Sequence, residues 1–116
     1  MREYKDLYCK LFIDFNGSRN ELVDKLTQIV NGNRKRIRSI ESPIGEIDVN
    51  NNEDYNEERS FIEDDGFLYS KYYLDIEPFD DIKQSEYISW MKKLVKNLIE
   101  LNYNVVVASD FEDELK

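Results

Sequence analysis

Residues 7–32, LYCKLFIDFNGSRNELVDKLTQIVNG, decide the fold of this chain. Within residues 7–15 every second residue is apolar, and this period of two predicts a strand with one buried face. Ser18 is followed three residues later by Glu21, which is the pattern of a capping box, and apolar residues then recur at helical spacing. The stretch therefore predicts a strand that leads into a capped helix.

A second unit of the same kind occupies the C-terminal half. Residues 67–78 alternate between two faces and predict another strand. An apolar stripe at helical spacing follows in residues 87–101, and we expect Asp80 or Asp81 to cap this helix. Residues 105–110 then form a short apolar strand.

The middle of the chain has the least regular pattern. Residues 34–49 predict one extended strand that is interrupted at Pro43 and Gly45, and residues 50–66 predict a long acidic loop. The order strand, helix, strand occurs twice along the chain. It predicts a single α+β domain over residues 1–116 with the ferredoxin-like βαββαβ plait. This plait is a four-stranded, mostly antiparallel sheet with two helices on one face. We expect its first and third strands to be adjacent, central and parallel.

Composition excludes several classes of active site. The 116 residues carry a net charge of −9 and include no His and one Cys. Catalysis of the Ser-His-Asp type needs His, and a zinc site needs several His or Cys ligands. We therefore expect no cofactor, and we place Cys9 in the core without a disulfide partner. The longest apolar run is four residues and no signal peptide is visible, so we expect a cytoplasmic protein.

In the predicted plait, the helices leave one face of the sheet uncovered. The alternation directs Tyr8 and Phe12 of the first strand, and Tyr69 and Tyr73 of the third strand, toward that face. Tyrosine is common at protein interfaces because it buries apolar area and keeps a polar tip in water. These four residues therefore predict a partner-binding surface.

Negative charge is concentrated in residues 41–81, where fourteen acidic residues stand against two basic ones. This concentration has two interpretations, which are solubility and a docking surface for a basic protein. Under the second interpretation, Glu57, Glu58, Asp64 and Asp65 of the acidic loop join the aromatic residues as partner contacts. The negative charge disfavours nucleic acid as a partner, and the chain could be a monomer or a homodimer.

Three carboxylates offer an alternative function. In a sheet with parallel first and third strands, Asp14, Asp75 and Glu77 would lie near the same strand ends. They could then hold Mg²⁺ or Mn²⁺, or act as an acid and base pair. The other interpretation is that the three carboxylates have no functional role and are charged because the ends of strands are exposed to water. A further alternative is a homodimeric ligand-sensing module in which a second copy covers the sheet.

Two stretches resemble a known class of protein. They are YSKYYLDIEP (residues 69–78) and VVVASDFEDEL (residues 105–115). Together with the small acidic build, they resemble bacterial immunity proteins encoded beside polymorphic or contact-dependent toxins, mainly in the C-terminal half. The resemblance implies a cytoplasmic inhibitor that binds its toxin tightly and performs no chemistry. Such toxins are commonly basic nucleases, and an acidic inhibitor can occupy the nucleic-acid site. The resemblance assigns no binding residue.

Overall fold

A computed structural model of the chain describes residues 2–56 and 70–115. These ranges contain six strands, two α-helices and a short 3-10 helix. The elements are β1 (Cys9–Asp14), α1 (Arg19–Ile29), β2 (Asn33–Arg36), β3 (Ser39–Glu41), β4 (Gly45–Asn51), β5 (Tyr72–Pro78), α2 (Gln84–Glu100), β6 (Asn104–Ser109) and the 3-10 helix (Glu112–Leu115).

The described strands form one antiparallel sheet in the order β2-β3-β4-β5-β1-β6. This confirms the α+β class with an antiparallel sheet and two helices. The prediction of four strands is wrong, because residues 34–49 form the three strands β2, β3 and β4. The first and third predicted strands, now β1 and β5, are adjacent as expected, but they run antiparallel instead of parallel.

A tight turn between β3 and β4 explains one of the additional strands. The Ser42 hydroxyl oxygen accepts hydrogen bonds from the backbone N–H groups of Ile44 (3.2 Å) and Gly45 (2.9 Å). The hydroxyl donates to the Gly45 carbonyl oxygen at 2.7 Å. A Cβ on Gly45 would lie 2.2 Å from the backbone oxygen of Glu77, so glycine permits the close approach of β5. Pro43 and Gly45 therefore mark a hairpin and not a bend within one strand.

Both helices pack into one core on one side of the sheet. Alternating residues of the central strands face this core, and they are Cys9, Leu11, Ile13, Ile47, Val49, Tyr72, Leu74 and Ile76. Cys9 is fully buried, as predicted, and its burial is the main cause that raises its thiol pKa to about 12. Among the described residues, neither helix is long and apolar enough to cross a membrane.

The two helices begin differently. The Ser18 hydroxyl oxygen accepts a hydrogen bond from the Glu21 backbone N–H at 3.1 Å, which confirms the predicted cap of α1. The N-cap of α2 is Lys83, which forms no capping hydrogen bond through its side chain. The predicted capping by Asp80 or Asp81 is therefore wrong. A turn closed by the bond from the Ile82 N–H to the Phe79 carbonyl (3.1 Å) precedes the helix.

Candidate functional site

The candidate site is the side of the sheet opposite α1 and α2, here called the open face, which bears Phe12, Tyr73 and Asp75. Strand register places Phe12 of β1 directly opposite Tyr73 of β5. Tyr8, just before β1, reaches the same face, since its hydroxyl contacts Asp75. The structure therefore brings together three of the four predicted aromatic residues. The predicted contacts outside the described residues are Tyr69, Glu57, Glu58, Asp64 and Asp65.

The aromatic residues of the open face differ in exposure. Phe12 is only 6% exposed, whereas Tyr8 and Tyr73 are partly exposed. The ring centroids of Phe12 and Tyr73 lie 6.3 Å apart, and the Lys10 Nζ lies 5.0 Å and 4.3 Å from these two centroids. Lys10 thus places a cation over both rings, an attractive arrangement. Phe12 is the buried member of this cluster, and the two tyrosines offer the accessible area.

A chain of hydrogen bonds crosses the open face from β1 toward β3. The Tyr8 hydroxyl donates to Asp75 Oδ1, and the Asn50 side-chain amide donates to Asp75 Oδ2 at 2.9 Å. The Arg38 guanidinium donates to the Asn50 side-chain oxygen. Burial and the bond to Asp75 raise the pKa of Tyr8, so its hydroxyl remains a protonated donor. Both oxygens of Asp75 are therefore occupied by neutral donors.

Carboxylates lie directly opposite one another on this face. Strand register pairs Glu46 of β4 with Glu77 of β5, and it pairs Asp48 with Asp75. Glu41 of β3 lies opposite Glu46 on the other side. We call this set the acidic patch, and its members are Glu41, Glu46, Asp48, Asp75 and Glu77. Like charges directly opposite each other on neighbouring strands destabilise a sheet.

Compensation of the acidic patch is incomplete. Lys35 lies near two members, with its Nζ 3.4 Å from Glu46 and 3.8 Å from Glu41. Among the described residues, no lysine or arginine forms an ion pair with the other three members. Burial, followed by repulsion from Asp6 and Asp75, raises the pKa of the Glu77 carboxyl. Repulsion within the patch is therefore only partly offset by the described basic residues.

The three carboxylates of the predicted metal or acid–base site are not brought together. Asp75 lies opposite Lys10, four residues from Asp14, which is a displacement of about 13 Å along the strand. Glu77 lies two residues further away, and Asp14 instead accepts the backbone N–H of Lys71 at 3.3 Å. The antiparallel orientation of β1 and β5 causes this separation. In the described part of the chain, no three Asp, Glu or Cys residues could hold a metal ion.

Sequence reasoning missed the contribution of β4 to this face. Glu46, Asp48 and Asn50 alternate with buried residues, and this alternation was the available signal. Their alignment with Asp75 and Glu77 depends on the register between β4 and β5, which is a non-local property of the fold. No family model, curated protein or solved structure matches this chain. Its function is therefore argued from the geometry of the open face.

Proposed function

We propose that this chain is a non-enzymatic binding protein that captures a positively charged partner on its open face. The partner that fits best is a toxin domain such as a basic nuclease, which the chain would neutralise in the cytoplasm as an immunity protein. One observation carries the proposal, namely that carboxylates lie opposite carboxylates on β3, β4 and β5. A sheet with only a structural role gains nothing from this arrangement.

The energetics favour a cationic partner over solubility as the reason for the acidic patch. Solubility requires net charge, but it does not require like charges on facing strand positions. Each such pair costs up to about 1 kcal/mol of stability. Lysine or arginine side chains of a bound partner would offset this cost only in the complex. Complementary fields also raise association rates by roughly 10- to 1,000-fold at low salt.

Two tyrosines beside the patch supply the apolar part of the interface. Tyr8 is held by its bond to Asp75, and Tyr73 lies under the Lys10 ammonium group. Side chains that are already ordered lose little conformational entropy on binding. Tyrosine is also enriched among the few residues that dominate interface energies. We therefore assign Tyr8 and Tyr73 as anchors and the acidic patch as the steering element.

The same contacts favour binding over catalysis. A general base needs an oxygen that can reach the proton of a substrate. Both oxygens of Asp75 instead accept hydrogen bonds from Tyr8 and Asn50. The chain also lacks His, the residue most often used for proton transfer.

We further propose that the fold is an enlarged ferredoxin-like plait. The order β4-β5-β1-β6, with α1 after β1 and α2 between β5 and β6, corresponds to four strands of that plait. The hairpin of β2 and β3 would then be an addition beside its second strand. The addition contributes Glu41 to the acidic patch and places Lys35 beside it.

Charge removal on the open face tests the proposed function. The partner is a basic nuclease toxin domain that the wild-type chain binds, and the double variant Glu46→Gln/Glu77→Gln is compared with Glu86→Gln/Glu100→Gln on α2. Both variants remove two negative charges, so they have equal net charge. We expect the open-face variant to lower the association rate at low salt by about tenfold or more and the α2 variant by less than about twofold. Equal rates for the two variants would overturn the proposal.

A further inference from the structure

The two edge strands of the sheet differ in charge. Strand β2 carries Arg34, Lys35 and Arg36, and all three are exposed. Strand β6, in contrast, has the sequence NVVVAS and carries no charged side chain, although 35% of the chain is charged. Charged residues on an edge strand discourage pairing with another chain. Among the described strands, charged side chains therefore protect the β2 edge but not the β6 edge.

Exposed apolar side chains accompany the uncharged edge. Among the described residues, five large hydrophobic side chains are exposed, and three of these lie in residues 99–106. They are Ile99 (56% exposed) and Leu101 (44%) at the end of α2, and Val106 (38%) in β6. Val106 therefore gives an edge strand an exposed apolar side chain, and an uncharged apolar edge is typical of a site where another strand docks.

We propose that β6 pairs antiparallel with β6 of a second copy of this chain, which joins two six-stranded sheets into one of twelve strands. The two copies would be related by a twofold axis, with both open faces on the same side of the joined sheet. Each even-numbered residue of β6, which lies on the open face, must then pair with an even-numbered residue of the second β6. Every pair within the strand is then uncharged, and valines dominate its centre.

The acidic patch does not oppose this pairing, although the chain has a net charge of −9. Two strands separate the acidic patch from the contact, since β6 and β1 precede β5 in the sheet. In the dimer the two β5 strands would lie five strand spacings apart, about 24 Å, which exceeds the Debye length of about 8 Å at physiological salt. Pairing through β2 would instead bring Arg34, Lys35 and Arg36 of both copies together.

The dimer would leave both open faces accessible. It does not depend on the proposed capture of a toxin, because the contact uses β6 and not the acidic patch. Two binding faces on one particle would allow bivalent capture of a partner that is itself multimeric.

Sedimentation of the full chain tests the proposal. Total concentrations from about 1 to 200 μM suit the micromolar affinity of a small edge contact. We expect a concentration-dependent dimer. The substitution Val106→Lys would raise the dissociation constant of the dimer by about tenfold or more, because the two lysines would place like charges across the symmetry axis. Ile37→Lys makes the same type of change beside the β2 edge and should leave the dimer intact.

A second variant, Asn104→Lys, tests the same edge at an exposed position and should also weaken the dimer. Circular dichroism establishes that each variant keeps its fold. A wild-type chain that stays monomeric over the whole concentration range would overturn the proposal. A folded Val106→Lys or Asn104→Lys variant that dimerises as tightly as the wild type would also overturn it.

Discussion

At the scale of single residues, Glu77 shows the conflict between folding and the proposed binding. It faces Glu46 across the strands. Its partial burial, followed by repulsion from Asp6 and Asp75, raises the pKa of its carboxyl. An acid whose folded pKa is raised binds protons more strongly in the folded state than in the unfolded state. Its charged form therefore reduces stability above the raised pKa, and this penalty disappears as the pH falls toward the ordinary glutamate value of 4.5.

We accordingly expect Glu77→Gln to raise the Tm at pH 7 by about 1–4 °C, since it removes the repulsion without changing the side-chain shape. The difference in Tm between the variant and the wild type should shrink as the pH is lowered toward 4.5. Thermal melts at several pH values measure this difference. Glu53→Gln removes the same charge from an exposed turn and should give no comparable gain. A lower Tm for Glu77→Gln would show that the Glu77 carboxylate stabilises the fold.

At the scale of elements, the hairpin between β3 and β4 aligns Glu41 with Glu46, and its Gly45 permits the close approach of β5. Gly45→Ala would place a Cβ 2.2 Å from the Glu77 backbone oxygen, and neither strand can move without breaking the pairing. We expect a loss of about 1–3 kcal/mol in the free energy of unfolding, measured with a denaturant. Gly17→Ala is the control, because its Cβ would meet only side-chain atoms of Glu21 and Phe15. Equal losses for both variants would contradict this role of Gly45.

The elements also show how far the sequence could predict the structure. Local patterns predicted the strand over residues 7–15, the cap at Ser18 and the two-sided alternation before Pro78, because each depends on neighbours in sequence. The pattern of residues 34–49 predicts one strand, since two closely spaced turns look like interruptions of a single extended segment. The direction of β5 against β1 depends on the path of the whole chain. The error in that direction created the predicted site of Asp14, Asp75 and Glu77.

At the scale of the whole molecule, charge is segregated over the sheet. Basic residues occupy the β2 edge, carboxylates occupy the open face of β3 to β5, and the β6 edge is uncharged. Each region presents a different surface to other molecules. The central claim is that a cationic partner binds the open face, while β6 remains available to a second copy and the helices support the sheet from behind.

Mapping of the bound surface by NMR chemical shifts, with the same basic nuclease toxin domain as partner, tests that claim most directly. The account predicts that the largest shift changes on binding fall on β3 to β5 and on Tyr8, with small changes in α1 and α2. It also predicts that these changes include the positions of Glu46, Asp48 and Glu77. A footprint on the helices that leaves β4 and β5 unchanged would contradict it.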